Sequence, residues 1–138
     1  MKRTQVRVTR LVLVEKTPQQ FLELRESGDS KRVLTMVIAR SEAEEIQRCL
    51  KQKETPRPLT HELTALLMNA GAIQLADACI HYLSKGTFKA QLTITTSDGK
   101  LPQIIDCRPS DAIALCLRMK APIFVTENVW ETATKPKD

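Results

Sequence analysis

Between Phe88 and Thr95 the chain alternates without a slip: Phe88, Ala90, Leu92 and Ile94 stand between Lys89, Gln91, Thr93 and Thr95. A period of two puts successive side chains on opposite sides of an extended backbone, so this segment buries one face of a sheet and wets the other. Asp98-Gly99 comes next, a dipeptide suited to the positive-φ positions of a hairpin turn, and residues 101–107 return as the partner strand. An isolated two-stranded ribbon is marginal in water, so a chain built on this hairpin needs more strands and a covering layer.

The first forty residues supply strands. Residues 4–15 read as one: Val6 and Val8 alternate with polar neighbours, and Leu11-Val12-Leu13-Val14 is continuously apolar. Such a run fits a strand buried on both faces or a subunit interface. Lys16-Thr17-Pro18-Gln19 is a turn, Phe21 to Arg25 a second strand, Ser27-Gly28-Asp29-Ser30 a turn, and Arg32 to Ile38 a third strand. Further on, residues 73–83 are extended, Gly86 turns the chain into the alternating strand, and Ile123 to Val125 is a short strand.

Three main helices lie between. Ser41 and Glu44 have capping-box spacing, and Ala43, Ile46 and Leu50, with Cys49 beside them, recur at helical intervals. Glu42, Glu44 and Glu45 load the first turn, and Arg48, Lys51 and Lys53 the other end, as the helix dipole favours. A stiff connection containing Pro56 and Pro58 leads to Thr60, the expected N-cap of a helix over 61–70. Leu63, Leu66, Leu67 and Ala70 form its apolar stripe, and Gly71 is expected at C′. Pro109-Ser110-Asp111 opens the third helix, with Ile113, Cys116 and Leu117 on its buried side, widened by Leu115 and Met119. Residues 127–133 form a final helical turn, and Thr134 to Asp138 a frayed polar tail. Hairpins dominate and regular strand–helix–strand alternation is missing. The order predicts a single compact α+β domain over residues 1–138, with a mixed, mostly antiparallel sheet open to strong curvature.

Aromatics make up 4% of the chain, so the core has to come from Leu, Ile, Val and Ala. The formal charge of +5 attracts polyanions such as nucleic acid, and many basic proteins bind none. Cys49, Cys79, Cys107 and Cys116 show no CxxC spacing and sit among apolar neighbours, which predicts buried free thiols and a reducing compartment. The apolar run at Leu11 is too short for a signal-peptide core or a membrane span, so the expected location is the cytoplasm.

No Walker A loop, GxGxxG or GxSxG occurs, and Ala65 stands where a zincin needs the second histidine after His61-Glu62. His81, in a strand, reads as structural. Two polar blocks remain, Arg57-Pro58-Leu59-Thr60-His61-Glu62 and Asp106-Cys107-Arg108-Pro109-Ser110-Asp111, each at the mouth of a helix. Backbone N–H groups beside an arginine there can hold a phosphate. Asp106 and Asp111, at a strand end and a helix start, can aim at one point and suit Mg²⁺ or Mn²⁺, which would permit metal-assisted phosphodiester hydrolysis. Each residue also has a plainer role. Thr60 and Ser110 are caps, Glu62 and Asp111 complement helix dipoles, Arg108 pairs with Asp111 or with a carboxylate elsewhere, and His61 is exposed on a first turn.

The blocks carry a family resemblance. Arg57-Pro58-Leu59-Thr60-His61-Glu62-Leu63 resembles the RPLTH-D/E-L signature of the bifunctional nuclease domain family, and residues 106–115, DCRPSDAIAL, resemble its D-x-RPSDAIALA block. Ala121-Pro122-Ile123-Phe124-Val125 is similar to the family's APIYV-type strand, Gly86-Thr87-Phe88 also fits, and Ser41-Glu42-Ala43 falls where the family opens a helix with an EA pair. The match runs in order from Val6 to Trp130. Met36-Val37-Ile38-Ala39-Arg40 departs from the family's Trp-Ile-Gly type segment, and Cys107 and Cys116 replace small apolar residues. The resemblance implies hydrolysis of RNA and DNA by a compact α+β domain that self-associates.

An expected site can be composed from these blocks. Asp106 and Asp111 hold a metal or orient water, Arg57 and Arg108 with Thr60 and Ser110 bind the scissile phosphate, and His61 or Glu62 serves as general acid or base. The alternatives are a non-catalytic module that binds an anion, nucleic acid or a partner subunit, and a homo-oligomer whose polar blocks stabilise loops.

Overall fold

The computed structural model describes residues 2–28, 32–53 and 55–134. Its strands are β1 (Arg3–Val12), β2 (Gln19–Glu26), β3 (Val33–Ala39), β4 (Ile73–Ser84), β5 (Thr87–Thr96), β6 (Gln103–Cys107) and β7 (Ile123–Thr126), and its helices are α1 (Arg40–Lys51), α2 (Thr60–Ala70), α3 (Pro109–Met119) and α4 (Glu127–Thr134). One open seven-stranded sheet runs β3-β2-β1-β7-β4-β5-β6. Among the described residues, only the β4–β7 pair is parallel.

Cross-strand register carries one buried row set across the sheet. Leu22 faces Met36, Leu24 faces Leu34, Val6 faces Ile123, Ala78 faces both Ile123 and Leu92, and Ile80 faces Val125 and Ala90. These side chains are buried in one cluster with Ala43 and Ile46 of α1, Ile113 to Cys116 of α3, and Val129 and Trp130 of α4. Arg32 ties α4 to the same side: it bonds Glu26 and Glu127 and lies 4.7 Å from the Trp130 ring centroid. Helix α2 joins that layer through α3 and the edge of β4. All four helices therefore cover one face. Cys79, on the alternate side of β4, stays outside the cluster. Buried Gln20 spans the β1–β2 connection, where its side chain accepts from Val14 N–H and donates to the Val14 and Thr17 carbonyls.

Several expectations change. There are four helices rather than three main ones, because residues 127–134 form more than two turns around buried Trp130. Helix α1 starts at Arg40 with Ala39 at the N-cap, and in place of a Ser41–Glu44 capping box only one side of the motif forms: Glu42 Oε2 accepts the Ala39 N–H at 2.8 Å, while the Ala39 methyl has no acceptor to return. Thr60 is the first residue of α2, with Leu59 at the N-cap. Gly71 ends α2 at φ −88°, and the left-handed residue is Ala72 at φ 55°. The run Leu11 to Val14 is not buried on both faces: Leu13 is exposed, and β1 has strand partners on both edges only near Val6, between β2 and β7. The stripe of α2 faces outward, with Leu63, Leu66 and Leu67 exposed and Met68 buried. Thr134 belongs to α4, while residues 135–138 and the Asp29-Ser30 half of the predicted turn lie outside the described residues. Among the described residues, no helix is long and apolar enough to cross a membrane.

Candidate active site

The first turns of α1, α2 and α3 meet above the covered face. Packing further along each helix sets them there: Ala43 and Ile46 hold α1 against β2 and β3, the buried run Ala112 to Cys116 holds α3, and contact with α3 holds α2. The two polar blocks, fifty residues apart, touch through His61 and Asp111, whose Nε2 and Oδ1 are 2.9 Å apart. Asp111 also accepts two hydrogen bonds of 2.8 Å from Nε and Nη2 of Arg108, whose Nη1 lies 2.8 Å from Glu42. The other ring nitrogen of His61, Nδ1, lies 3.9 Å from Oε1 of buried Glu45. Glu45 accepts from Arg118 at 2.6 and 3.0 Å and from Arg48 at 2.8 and 3.2 Å. Arg118 reaches Glu62 at 3.5 Å, and the Thr55 hydroxyl donates to Glu62 at 2.9 Å.

The result is one alternating network: Glu42, Arg108, Asp111, His61, Glu45, Arg118, Glu62, with Arg48 as a branch. Four carboxylates meet three guanidiniums, and His61 stands between Asp111 and Glu45. Arg108 above all, with help from His61, holds the Asp111 carboxyl below its ordinary range against the opposing effect of partial burial. Burial raises Glu45, but Arg118 and Arg48 outweigh it and leave this carboxyl lowered as well. A cleft of about 320 Å³ opens over this network, lined by Ser41, Glu42, Glu45, Arg48, Leu59, Thr60, His61, Arg108 and Asp111.

The helix mouths add donors. Neither Leu59 nor Arg108, the N-cap residues of α2 and α3, supplies a side-chain cap. First-turn N–H groups without such a cap are open to an anion.

The predicted residues divide. His61, Thr60, Arg108 and Asp111 line the cleft, and Glu62 borders the network through Arg118. Ser110 is buried and lines a neighbouring cleft of about 260 Å³ with Glu42, Arg108 and Phe88. Arg57 is exposed in the connection before α2 and does not line the cleft. The structure does not bring Asp106 to the cluster. It pairs in register with Gln91 and alternates to the face opposite Cys107, away from the helices. The Asp106–Asp111 pair expected to hold Mg²⁺ or Mn²⁺ is therefore split across the sheet. No group of three or more His, Cys, Asp or Glu among the described residues is arranged to hold a metal. The cleft carboxylates are already bonded to arginines, a donor set that does not fit a hard cation needing free oxygens.

Glu42, Glu45, Arg48 and Arg118 escape sequence reasoning as site residues. Glu45 left one signal. It precedes Ile46 and lies four residues before Cys49, on the side of α1 that packs inward, where a charge needs a partner. The cysteines are inert: burial pushes Cys49 and Cys116 up to about 12 and Cys107 to about 11. Three are buried and Cys107 is half-buried.

A single-sheet α+β domain with one helical layer, and a histidine–carboxylate–arginine cleft under three helix mouths, defines the class to which this chain belongs. It is a member of the bifunctional nuclease domain family, whose model matches residues 22–138, nearly the whole chain. Two uncharacterized proteins of Mycobacterium tuberculosis, one from strain H37Rv and one from strain CDC 1551, are each 37% identical to it over 129 residues, which is 94% of this chain and 75% of each relative.

Proposed function

We propose that the protein cleaves phosphodiester bonds of RNA and DNA in the cleft over His61 and Asp111. The family is a nuclease family, and the observation that carries the reading is the 2.9 Å contact joining its two polar blocks into one site. An aspartate carboxylate only accepts hydrogen bonds, so its partner Nε2 carries the ring proton and the lone pair falls on Nδ1. Nδ1 lies 3.9 Å from Glu45, and both residues line the cleft, where solvent water can approach the ring. His61 takes a proton at Nδ1 from a water in the cleft as that oxygen bonds to phosphorus, the P–O bond to the leaving sugar oxygen breaks, and that oxygen takes a proton from solvent; Asp111 fixes the ring and balances the imidazolium that forms, which then returns its proton to solvent. Arg108, at the exposed rim, and the open N–H groups of α2 and α3 receive the phosphate and steady its growing charge. Thr60 lines the approach, Ser110 supports the α3 mouth, and Glu62 positions Arg118. Arg57 contacts the substrate strand outside the cleft. Because the carboxylates are held by arginines, no step is routed through Mg²⁺ or Mn²⁺. The location we assign is the cytoplasm, in keeping with four free thiols.

The test is cleavage of labelled single-stranded RNA and DNA by pure protein in EDTA, Mg²⁺ or Mn²⁺. His61→Ala should lower the rate by about 10²- to 10⁴-fold, the usual share of a positioned acid–base group. Unchanged cleavage in that variant would remove the cleft as the active site. A second reading, an assembly module built on a homo-oligomer, is favoured by the outward leucines of α2. Light scattering of the wild type and of Leu66→Glu distinguishes it.

A further inference from the structure

All four helices lie on one side of the sheet, and strand alternation fixes the residues that the other side presents. Its cations are Arg3, Arg7 and Arg10 on β1, Arg25 on β2 and Lys89 on β5, against Glu23, Asp77 and Asp106. The same face holds Phe21, Tyr82 and Phe124, three of the five aromatic residues in the chain. A protein short of aromatics would be expected to spend them in its core. Here Phe21 is 38% exposed and Tyr82 is 40% exposed.

Two features point to an anionic, planar ligand. Arg7 and Arg25 stand directly opposite each other across β1 and β2, and Glu23, 3.7 Å from Arg25, offsets only one of the two charges. Like charges in that position oppose sheet formation, and a bound anion relieves them. Two aromatic rings on this face already carry cations, with the Arg3 guanidinium 3.9 Å from the Phe124 centroid and Lys89 Nζ 4.7 Å from that of Tyr82. A guanidinium plane over a ring and an exposed tyrosine both offer platforms on which a base can stack.

We propose that this open face binds single-stranded nucleic acid, with phosphates at Arg7, Arg10 and Arg25 and unpaired bases stacked on Phe21, Tyr82 and the Arg3–Phe124 pair. The inference rests on the reading that the chain acts on nucleic acid, and it adds a second surface across the sheet from the cleft. Duplexes keep their bases stacked inside and cannot use the aromatic platforms, so the face selects single strands.

The test is fluorescence anisotropy with a labelled 2′-O-methyl phosphorothioate uridine 12-mer, which resists hydrolysis, against a duplex of the same length. Arg7→Glu converts the Arg7–Arg25 repulsion into an attraction, so the fold should be at least as stable while the probe binds about tenfold more weakly and with a shallower salt dependence. Tyr82→Ala should weaken binding at least about fivefold, the low end for one stacked base. Asp106→Asn should tighten it. Wild-type affinity in both Arg7→Glu and Tyr82→Ala overturns the proposal, as does tighter binding of the duplex. A wild-type dimer that Tyr82→Glu dissociates, with no affinity for the probe, would make this face a self-interface and also overturn it. If sheet variants bind normally yet the protein cleaves, only this inference falls. If the probe binds through the sheet and nothing is cleaved, only the nuclease reading falls.

Discussion

His61 gains its orientation from Asp111, and Asp111 gains its ionisation from Arg108. Asp111→Asn keeps the shape of the carboxylate but can turn its amide to donate to the ring, which selects the wrong tautomer. Cleavage should fall on the order of 10²-fold or more, measured as kcat on a short RNA. Asp106→Ala, on the other face, should leave that rate as it was. The same carboxylates set an acid limit on stability. Asp111 and Glu45 both ionise more readily in the folded state, so each contributes stability that is fully present above its ordinary value and is lost as pH falls through the lowered one. Melting temperature should therefore drop as pH is taken below the ordinary Asp value of 3.8, and Asp111→Asn should flatten that drop. Equal slopes in both proteins would mean that the ion pair is not formed in solution.

At the scale of the element, the periodic segments were legible and their caps were not. The alternation over Phe88 to Ile94 fixed β5, and each helix was placed to within about two residues, because burial of one face writes its period into the residue types. Helix ends depend on single backbone torsions that neighbouring contacts override, which moved the α1 N-cap from Ser41 to Ala39 and the left-handed site from Gly71 to Ala72. The leucines of α2 read as core because a helical stripe says that a face is apolar, not what covers it. The convergence of the two polar blocks was a premise of the expected site and not legible in the residues, because a helix mouth carries no sign of which other mouth it faces. Asp106 was misplaced because the handover from β6 to α3 concealed which side of the sheet it takes. One cap offers a direct experiment. Lys120 ends α3 at φ 57°, a conformation that suits glycine, so Lys120→Gly should stabilise the protein by about 0.5 kcal/mol in urea unfolding.

For the whole molecule, cohesion depends on the two ends of the chain meeting. β1 lies between β2 and β7, and α4 seals the cluster beneath them with Trp130. Trp130→Ala should cost about 3–5 kcal/mol in chemical denaturation, the range for deleting a large buried aromatic, whereas Leu67→Ala on the exposed side of α2 should stay within about 0.5 kcal/mol in a monomer. The placing of β1 has a consequence for biosynthesis. Arg3 pairs with Thr126, so more than a hundred residues must be translated before the first strand meets its second neighbour. At bacterial to eukaryotic elongation speeds that is a wait of roughly 6 to 25 s, during which the edge of β1 that β7 will pair stays open. A ribosome stalled anywhere short of β7 would hold a half-sheet whose open β1 edge is competent to pair with the wrong strand.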